Sequence, residues 1–225
     1  MLRSGLPVNE VFTTLQGEAT FAGTPSTFVR FQGCPVGCAW CDTKHTWPLH
    51  PTDEVDVVAI MQKDHQASPK WSELSVDELL DVIHDLKLRH VVLTGGEPAL
   101  YNLTDLTARL DQLGHRTQIE TSGTHALRVD ATTWVTVSPK INMPGGFAVR
   151  DDAMLRADEV KHPVAVERNV DELLALLETS PPRHGVPVWL QPIFQAPRAR
   201  DICIDACLRH GFRLSVQTHK MLNLR

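Results

Sequence analysis

The chain has 225 residues, 42% of them hydrophobic, which is enough for one sizeable core and predicts a single domain over residues 1–225. Lys plus Arg total 22 against 27 Asp plus Glu, so the net charge of -5 argues against a nucleic-acid partner. The first residues lack a basic segment followed by an apolar run, and no 18 apolar residues are consecutive, so neither secretion nor a membrane partner is expected.

Short β-type runs alternate along the chain with segments of helical period. In chain order, strands are predicted at 27–31, 90–94, 116–120, 133–137, 157–161, 186–190 and 212–217. Helices are predicted at 75–88, 102–113, 170–179 and 199–210. Ser75 with Glu78 marks the start of the first helix, Asn169 with Glu172 is expected to open the third, and Gly211 ends the fourth.

This alternation predicts parallel strands joined by right-handed crossovers. The number of strands favours an α/β fold of the incomplete TIM-barrel type with about six parallel strands. Polar strings (GGEP, TSGT, SPK, QP and THK) follow the predicted strands at their carboxyl ends, the edge at which such folds bind ligands. Residues 46–74 contain proline and lack a clear period, so we predict an insertion that folds locally over this mouth.

Three cysteines, Cys34, Cys38 and Cys41, follow the first predicted strand in one tight loop. Three thiols can hold a metal cluster and leave one coordination position open. A closed structural zinc site remains an alternative, because His45 would complete a set of four ligands.

The other two cysteines, Cys203 and Cys207, lie four residues apart on one predicted helix and are expected to pack in the core. An odd total of five, with three so close in sequence, is unlike a disulfide framework. We therefore expect reduced thiols and a cytoplasmic protein.

The C-x3-C-x2-C loop with Trp40 before its last cysteine, together with Gly95-Gly96-Glu97-Pro98, resembles the signature motifs of the radical S-adenosylmethionine superfamily. The resemblance implies that the three cysteines, as catalytic ligands, hold a 4Fe–4S cluster whose fourth iron binds S-adenosylmethionine. It also implies a set of residues that contact this cofactor: Trp40, Gly95, Gly96, Glu97, Glu120, Ser122, Ser138, Pro139, Lys140 and Gln191.

A narrower resemblance extends from near residue 8 to the end of the chain. It rests on LQGE, FVRFQGCPVGCAWCDTKHTW, VVLTGGEP, QIETSGTH, WVTVSPK, LQPI and QTHKMLNL. These strings are similar to the 7-carboxy-7-deazaguanine synthase family, whose members convert 6-carboxy-5,6,7,8-tetrahydropterin to 7-carboxy-7-deazaguanine and ammonia on the way to the tRNA base queuosine. The resemblance implies a homodimer, a flavodoxin-like electron donor and a magnesium ion.

Carried over position by position, the family pattern assigns the pterin to Leu15, Gln16, Gly17, Arg30, Thr94 and the terminal carboxylate of Arg225. Arg30 suits bidentate recognition of a carboxylate. Thr43 is expected to ligate magnesium while Asp42 steadies its water. Ala19 stands where the family pattern has glycine, and the chain ends in arginine rather than a small residue.

The resemblance implies that reductive cleavage of S-adenosylmethionine gives a radical that takes hydrogen from the carbon bearing the substrate carboxylate. The ring then contracts, the hydrogen is returned and ammonia leaves. Two alternatives remain at this point: an activase that forms a glycyl radical on a partner protein, and a zinc-stabilised binding module.

Overall fold

The computed structural model describes residues 5–63, 67–194 and 196–224. The strands are β1 Leu6–Leu15, β2 Pro25–Phe31, β3 Ser72–Leu74, β4 His90–Gly95, β5 Arg116–Thr121, β6 Trp134–Val137, β7 Glu159–Val164, β8 Val188–Pro192 and β9 Arg213–Leu214. The helices are α1 Val57–Met61, α2 Val76–Asp85, α3 Thr104–Gln112, α4 Asp151–Arg156, α5 Glu167–Thr179, α6 Pro197–His210 and α7 Thr218–Met221. Within this part of the chain, no helix has both the length and the apolarity needed to cross a bilayer.

The strands form one sheet in the order β3-β1-β2-β4-β5-β6-β7-β8-β9. From β2 to β9 every neighbouring pair is parallel, whereas β1 is antiparallel to both of its neighbours. The predicted α/β class, an incomplete parallel barrel, is confirmed. The antiparallel strand β1 was not predicted, because Leu6–Leu15 carries polar residues that obscure its period of two.

The two faces of the parallel sheet differ in polarity. On the outer face, side chains such as Leu93, Ile119 and Val160 are fully buried in one core cluster with Leu106 of α3 and Leu173 of α5. The inner face is polar: its buried side chains on β5, β6 and β7 hydrogen-bond across the strands, namely Gln118, Glu120, Thr136, Glu159 and Lys161. The outer face therefore supplies the stability of hydrophobic burial, and the inner face is available for a polar site.

The connection between β1 and β2 fills part of the concave side of the sheet. The Ala19 amide donates to Ser215 Oγ beyond β9 at 3.0 Å, and Thr20 Oγ1 donates to Glu159 of β7 at 2.6 Å. Ala19 has a φ of 51°, in the left-handed region that favours glycine. This backbone conformation gives a physical reason for the glycine of the family pattern at this position.

Helix ends agree with the sequence in part. Ser75 and Glu78 form the predicted capping box, with Glu78 N donating to Ser75 Oγ at 3.3 Å. Asn169 does not open α5, however, since the helix begins at Glu167 and the Asn169 side chain accepts from the Ala165 and Val166 amides. The predicted strands at 157–161 and 186–190 are each placed about two residues too early, because their first residues are connections.

The described residues of 46–74 lie along the edge of the sheet next to β1, with which β3 pairs. Its fully buried side chains Ile60 and Trp71 anchor the segment beside β1. Trp47 lines a cavity at the mouth, and the expectation that the segment folds over the mouth stays a prediction. Its first residues reach the cysteine loop, where the Gly33 amide donates to Thr46 O at 2.7 Å and the Cys34 amide to Trp47 O at 3.2 Å.

Candidate active site

Two adjoining cavities of about 380 and 200 Å³ open at the carboxyl ends of the parallel strands. The larger one is lined by the cysteine loop and by the ends of β4 to β8, and the smaller one by the end of β1 and by β2. They share six wall residues: Glu18, Arg30, Asp42, Thr43, Thr94 and Glu120. Two molecules bound in these cavities would be in contact across this shared wall.

All three loop cysteines line the larger cavity and are free thiols. Burial raises the pKa of Cys34 to about 11 and raises that of Cys38, so the thiolates need a nearby positive charge. Among the residues that the structure describes, no three His, Cys, Asp or Glu side chains converge closely enough to hold one metal ion. His45, the fourth ligand of the zinc alternative, is not part of the cavity wall.

The glycine pair after β4 lies directly against the cysteine loop. A Cβ atom on Gly96 would be 2.1 Å from Gly33 O and 3.2 Å from Cys34 Cβ, so only glycine permits this approach. Gly95 and Gly96 both line the larger cavity.

Glu97, by contrast, lies behind the cavity wall and is almost fully buried. Its Oε1 accepts from Thr121 Oγ1 at 2.7 Å and its Oε2 from the Ser122 amide at 2.9 Å and from the Ser122 hydroxyl. In this arrangement Glu97 ties the end of β4 to the end of β5. Its predicted direct contact with the cofactor stays a prediction.

The other predicted cofactor residues converge on the larger cavity with one exception. Its wall contains Trp40, Glu120, Ser122, Ser138, Lys140 and Gln191 but not Pro139. Lys140 Nζ donates to Ser138 Oγ at 2.5 Å, and burial lowers its pKa. The side chain of Lys140 therefore places a cation between the strand ends and the cysteine loop.

A buried ion triad crosses the barrel where the cavities meet. Lys161 Nζ on β7 lies 2.6 Å from Glu18 Oε2 and 2.7 Å from Glu120 Oε2. Burial raises the pKa of Glu120 to about 7, whereas the Lys161 ammonium and further donors outweigh burial at Glu18 and lower its pKa to about 2. The two carboxylates raise the pKa of Lys161 despite its burial. The triad thus holds Glu18 ionised and Lys161 charged, while Glu120 titrates near neutral pH.

Gln118 orients Glu120 from below. Its Nε2 donates to Glu120 Oε1 at 3.0 Å and to Thr136 Oγ1 at 2.9 Å. Its Oε1 accepts from Gln16 Nε2 at 3.2 Å and lies 3.0 Å from His90 Nε2. Thr136 Oγ1 donates to Glu159 and therefore accepts from Gln118, which fixes the orientation of the amide and assigns the N–H of the His90 ring to Nε2.

The smaller cavity contains the pterin residues predicted from the LQG string. Leu15, Gln16 and Gly17 line it together with Arg30 and Thr94. Two stacked rings, Phe12 and Phe28, form an apolar wall at a centroid distance of 5.4 Å. Arg30 Nε donates to Glu10 Oε1 at 2.6 Å, which holds the guanidinium in place beside this wall. The cavity therefore combines aromatic surface with a fixed cation, as a planar carboxylate ligand requires.

Thr43 lies in the wall of both cavities, with Oγ1 3.5 Å from Cys41 Sγ. The neighbouring Asp42 forms an ion pair with Lys220 of α7, Nζ to Oδ2 being 3.0 Å. The hydroxyl is a suitable oxygen ligand for a hydrated magnesium ion, and the exposed carboxylate is suited to hold one of its waters.

The carboxyl-terminal segment closes the smaller cavity. The Thr218 amide donates to Gly17 O at 3.0 Å, and His219 lines the cavity. A Cβ atom on Gly17 would be 2.1 Å from His219 Nδ1, so the glycine makes room for this ring. Arg225, the last predicted pterin contact, lies outside the described residues.

The polar wall residues that were not singled out in the sequence include five that ionise or carry an amide or imidazole group: Glu18, Lys161, Gln217, His219 and Lys220. All of these except Lys161 stand inside the LQGE and QTHKMLNL strings, so the family pattern was the signal that could have found them. Lys161 carried a different signal, since a lysine inside a strand of a buried parallel sheet needs a buried partner.

Comparisons with known proteins agree with this geometry. The family model of the Radical SAM superfamily matches residues 28–140. The 7-carboxy-7-deazaguanine synthase of Escherichia coli K12 is 51% identical over 97% of this chain and 98% of its own length. The same enzyme from Buchnera aphidicola is 42% identical over 97% and 99% of the two chains, respectively, and that of Synechocystis 32% over 100% and 96%. The crystal structure of QueE from Escherichia coli superposes with a TM-score of 0.88 at 48% identity, covering 94% of this chain and 93% of the other.

Proposed function

The chain belongs to the 7-carboxy-7-deazaguanine synthase family of the radical S-adenosylmethionine superfamily, and we propose that its two cavities divide the reaction between cofactor and substrate. The enzyme is a radical lyase of queuosine biosynthesis that converts 6-carboxy-5,6,7,8-tetrahydropterin to 7-carboxy-7-deazaguanine and ammonia. This proposal rests on the wall that the two cavities share. The cysteine and glycine motifs line the larger cavity on one side of it, and the LQG string lines the smaller cavity on the other.

The residues of the larger cavity fit a 4Fe–4S cluster and S-adenosylmethionine. Cys34, Cys38 and Cys41 offer three thiols, and the bare backbone at Gly95 and Gly96 lets a ligand approach closely. When bound, the cluster and S-adenosylmethionine supply the one-electron chemistry that begins and ends the reaction. Lys140 and Ser138 lie in the same wall and are suited to the polar groups of the cofactor.

In the smaller cavity, Arg30 binds the carboxylate of the substrate and Gln16, with Leu15 and Gly17, orients the pterin ring against Phe12. The rigid pairing of Arg30 with Glu10 restricts the carboxylate to one position. The substrate carbon that reacts is thereby presented to the shared wall.

Glu120 is suited to proton transfer as ammonia departs, because a leaving amine needs a proton at nitrogen. Its carboxyl group lies in both cavity walls, and its pKa is raised to about 7. Lys161 remains charged and holds Oε2, while Gln118 holds Oε1, so the carboxyl group has a fixed direction.

Thr43, which lies in the wall of both cavities, would supply the direct protein ligand of a magnesium ion, and Asp42 would hold one of its waters. We expect Thr43→Ala to lower turnover about tenfold or more and to abolish its response to magnesium, because the ion loses its one direct protein ligand. Iron content should not change, since the hydroxyl does not serve the cluster. Activity that is independent of both magnesium and Thr43 would exclude this role.

We also propose an electron donor, an oligomeric state and a location for the enzyme. The enzyme receives its electron from a flavodoxin-like donor, works as a homodimer, and resides in the cytoplasm, where its three loop thiols stay reduced before the cluster is assembled. Relatives named as synthases match the chain over nearly its whole length, which argues against a glycyl-radical activase and against a zinc-binding module.

The decisive experiment is product analysis under anaerobic conditions. The reconstituted enzyme is incubated with the carboxypterin, S-adenosylmethionine, magnesium and a reductant, and the mixture is analysed by mass spectrometry. We expect 7-carboxy-7-deazaguanine and ammonia in equal amounts. Arg30→Lys is the matched variant: it keeps the charge but loses the planar fork, so KM should rise more than kcat falls. No conversion by the iron-loaded enzyme would contradict the proposal.

A further inference from the structure

A buried glutamine lies at the base of the cysteine loop. Gln32 directly precedes Gly33 and Cys34, and its side chain is fully buried. Its Nε2 donates to Pro48 O at 2.6 Å and to His45 O at 3.0 Å. His45 and Pro48 follow the three cysteines in the chain, whereas Gln32 precedes them. The Gln32 amide therefore joins the beginning of the cysteine loop to its end.

The next residue behind Gln32 is Asn9 on β1. The pairing of β1 with β2 shifts its register between Val8 and Glu10, which marks a β-bulge at Asn9. Its fully buried side chain lies between Gln32 and the segment before β3. Asn9 Nδ2 donates to Gln32 Oε1 at 2.6 Å, and also to Ser68 O at 2.9 Å and Lys70 O at 3.0 Å.

Lys63 completes this chain of contacts from the 46–74 segment. Its Nζ donates to Asn9 Oδ1 at 2.9 Å, to Lys70 O at 2.6 Å and to Ser68 O at 3.3 Å. Because an ammonium group can only donate, it fixes which end of the Asn9 amide faces it. The Asn9 amide in turn directs Gln32 Oε1 inwards, and Gln32 Nε2 must then face the two loop carbonyl groups.

We propose that Lys63, Asn9 and Gln32 form a positioning relay through which the 46–74 segment holds the base of the cysteine loop and so retains the cluster. The relay rests on the proposed function, since it presumes that the loop carries a cluster. None of the three side chains lines either cavity, so they act through the loop and not on substrate or cofactor. The loop between the two ends contains all three cysteines and Thr43, so its closure sets the spacing of every proposed metal ligand.

The main test replaces Gln32 with leucine, which keeps its approximate volume and removes the amide. The reconstituted protein is treated anaerobically with an iron chelator, and the rate of iron loss is measured together with the melting temperature. We expect Gln32→Leu to lose iron about tenfold faster than the parent, because two buried carbonyl groups lose their donor and the loop base opens.

The matched control is Thr107→Val on α3. Thr107 is also fully buried, and its Oγ1 donates to Leu103 O at 2.8 Å and accepts from the Asp130 amide at 2.8 Å. The control removes buried hydrogen bonds away from the cysteine loop, so it should lower the melting temperature and leave the rate of iron loss unchanged. Equal acceleration in both variants would mean that Gln32 contributes only to general stability, and would overturn the proposal.

A second arm tests whether the three residues act as one unit. Lys63→Met keeps the apolar stem on a half-buried residue and should accelerate iron loss severalfold, even if Gln32→Leu does not fold. Asn9→Leu combined with Gln32→Leu should be no faster than Gln32→Leu alone, because the relay is already interrupted. Additive effects would show independent contacts and contradict the relay.

A parent protein that holds no iron–sulfur cluster would contradict the proposed function itself, whereas a stable cluster with unaffected variants would contradict the relay alone.

Discussion

Lys161 balances two buried carboxylates whose roles differ because their other neighbours differ. Glu18 also accepts from Gln191 at 3.0 Å and from Gln217 at 2.8 Å, so its ionised form is well solvated by the protein. Glu120 has Gln118 as its further donor, and its burial, together with the nearby charge of Glu18, raises its pKa. One cation therefore gives one permanently ionised carboxylate and one that exchanges its proton near neutral pH.

Glu120→Gln should change how stability depends on pH. In the unfolded chain Glu120 ionises near its ordinary value of 4.5, whereas the folded protein keeps the proton to about 7. The folded state therefore binds more protons between these values, and this contribution to stability is present below pH 4.5 and is lost as the pH rises through 7. The variant lacks this contribution. The difference in free energy of unfolding, variant minus parent, should therefore increase from pH 5 to pH 7.

Urea unfolding of the iron-free, reduced proteins at both pH values measures this difference. Histidines whose pKa is lowered by burial, such as His90, also make stability depend on pH, but they are common to both proteins and cancel in the comparison. Parallel stability curves for parent and variant would contradict a raised pKa at Glu120.

The five cysteines separate into two groups by their surroundings. Replacing Cys34, Cys38 or Cys41 with alanine should abolish cluster binding, because each change removes one of three protein ligands. Cys203→Ala should retain full iron content, since Cys203 lies on the buried face of α6 and belongs to the hydrophobic core. Iron analysis and the visible absorption of the reconstituted proteins give the answer. Persistent iron in the loop variants would contradict the cluster assignment.

At the scale of elements, the β1–β2 connection and α7 depend on each other. The connection enters the barrel through Glu18 and Thr20, and α7 covers it from outside through Thr218 and His219. Lys220 joins the same helix to Asp42 in the cysteine loop. A short helix of four residues has little stability of its own, so these tertiary contacts hold it in place.

Gly17→Ala should displace α7 from the connection. The new Cβ atom would overlap the His219 ring, whose Nδ1 would be 2.1 Å away. We expect protease sensitivity within residues 216–224 and a KM for the pterin raised about tenfold, a change that corresponds to about 1.4 kcal/mol of lost binding. Limited proteolysis and steady-state kinetics measure the two effects.

His219→Gly in the Gly17→Ala background provides the control, because it removes the ring that the methyl group meets. Protection of the tail against proteolysis should return at least in part, whether or not activity does. A Gly17→Ala protein whose tail remains fully protected would show that the contact can be accommodated.

At the scale of the whole molecule, the curled parallel sheet brings one edge of every strand to a common mouth. Its apolar outer face is sealed by helices, and its polar inner face continues from Thr136 and Glu159 below up to the shared wall of the cavities. The β1 side and the carboxyl-terminal segment close this mouth from opposite ends of the sequence. The segment that ends at Leu224 is therefore docked beside the smaller cavity, which His219 lines.

A carboxyl-terminal extension should interfere with this arrangement. The described chain reaches Leu224, whose amide donates to His219 O at 2.8 Å, so the last residue follows directly after a segment docked at the smaller cavity. If the terminal carboxylate of Arg225 accepts from the pterin, an affinity tag beyond Arg225 should raise KM or block turnover. The same tag at Met1 should be tolerated. Unchanged kinetics of the extended enzyme would exclude the terminal carboxylate from the site.

Much of this protein follows from local sequence. Hydrophobic periods and capping residues such as Ser75 and Gly211 determine most helices and strands, because neighbours in sequence decide these preferences. The cysteine loop and the glycine pair carry their chemistry in their spacing, so Cys34 and Gly96 could be named without a structure. The parallel class and the position of the mouth follow from the order of strands and helices.

Tertiary structure alone decided the partners of residues that are far apart in the chain. The pairing of Glu18 with Lys161 and Glu120, the bulge that directs Asn9 to Gln32, and the place of 46–74 beside β1 all depend on long-range packing. The pKa of Glu120 is likewise a property of its burial and of charges contributed by two other elements. Local sequence determines which groups are present, but the free energy of a buried charge depends on everything that surrounds it, and only the folded chain brings those surroundings together.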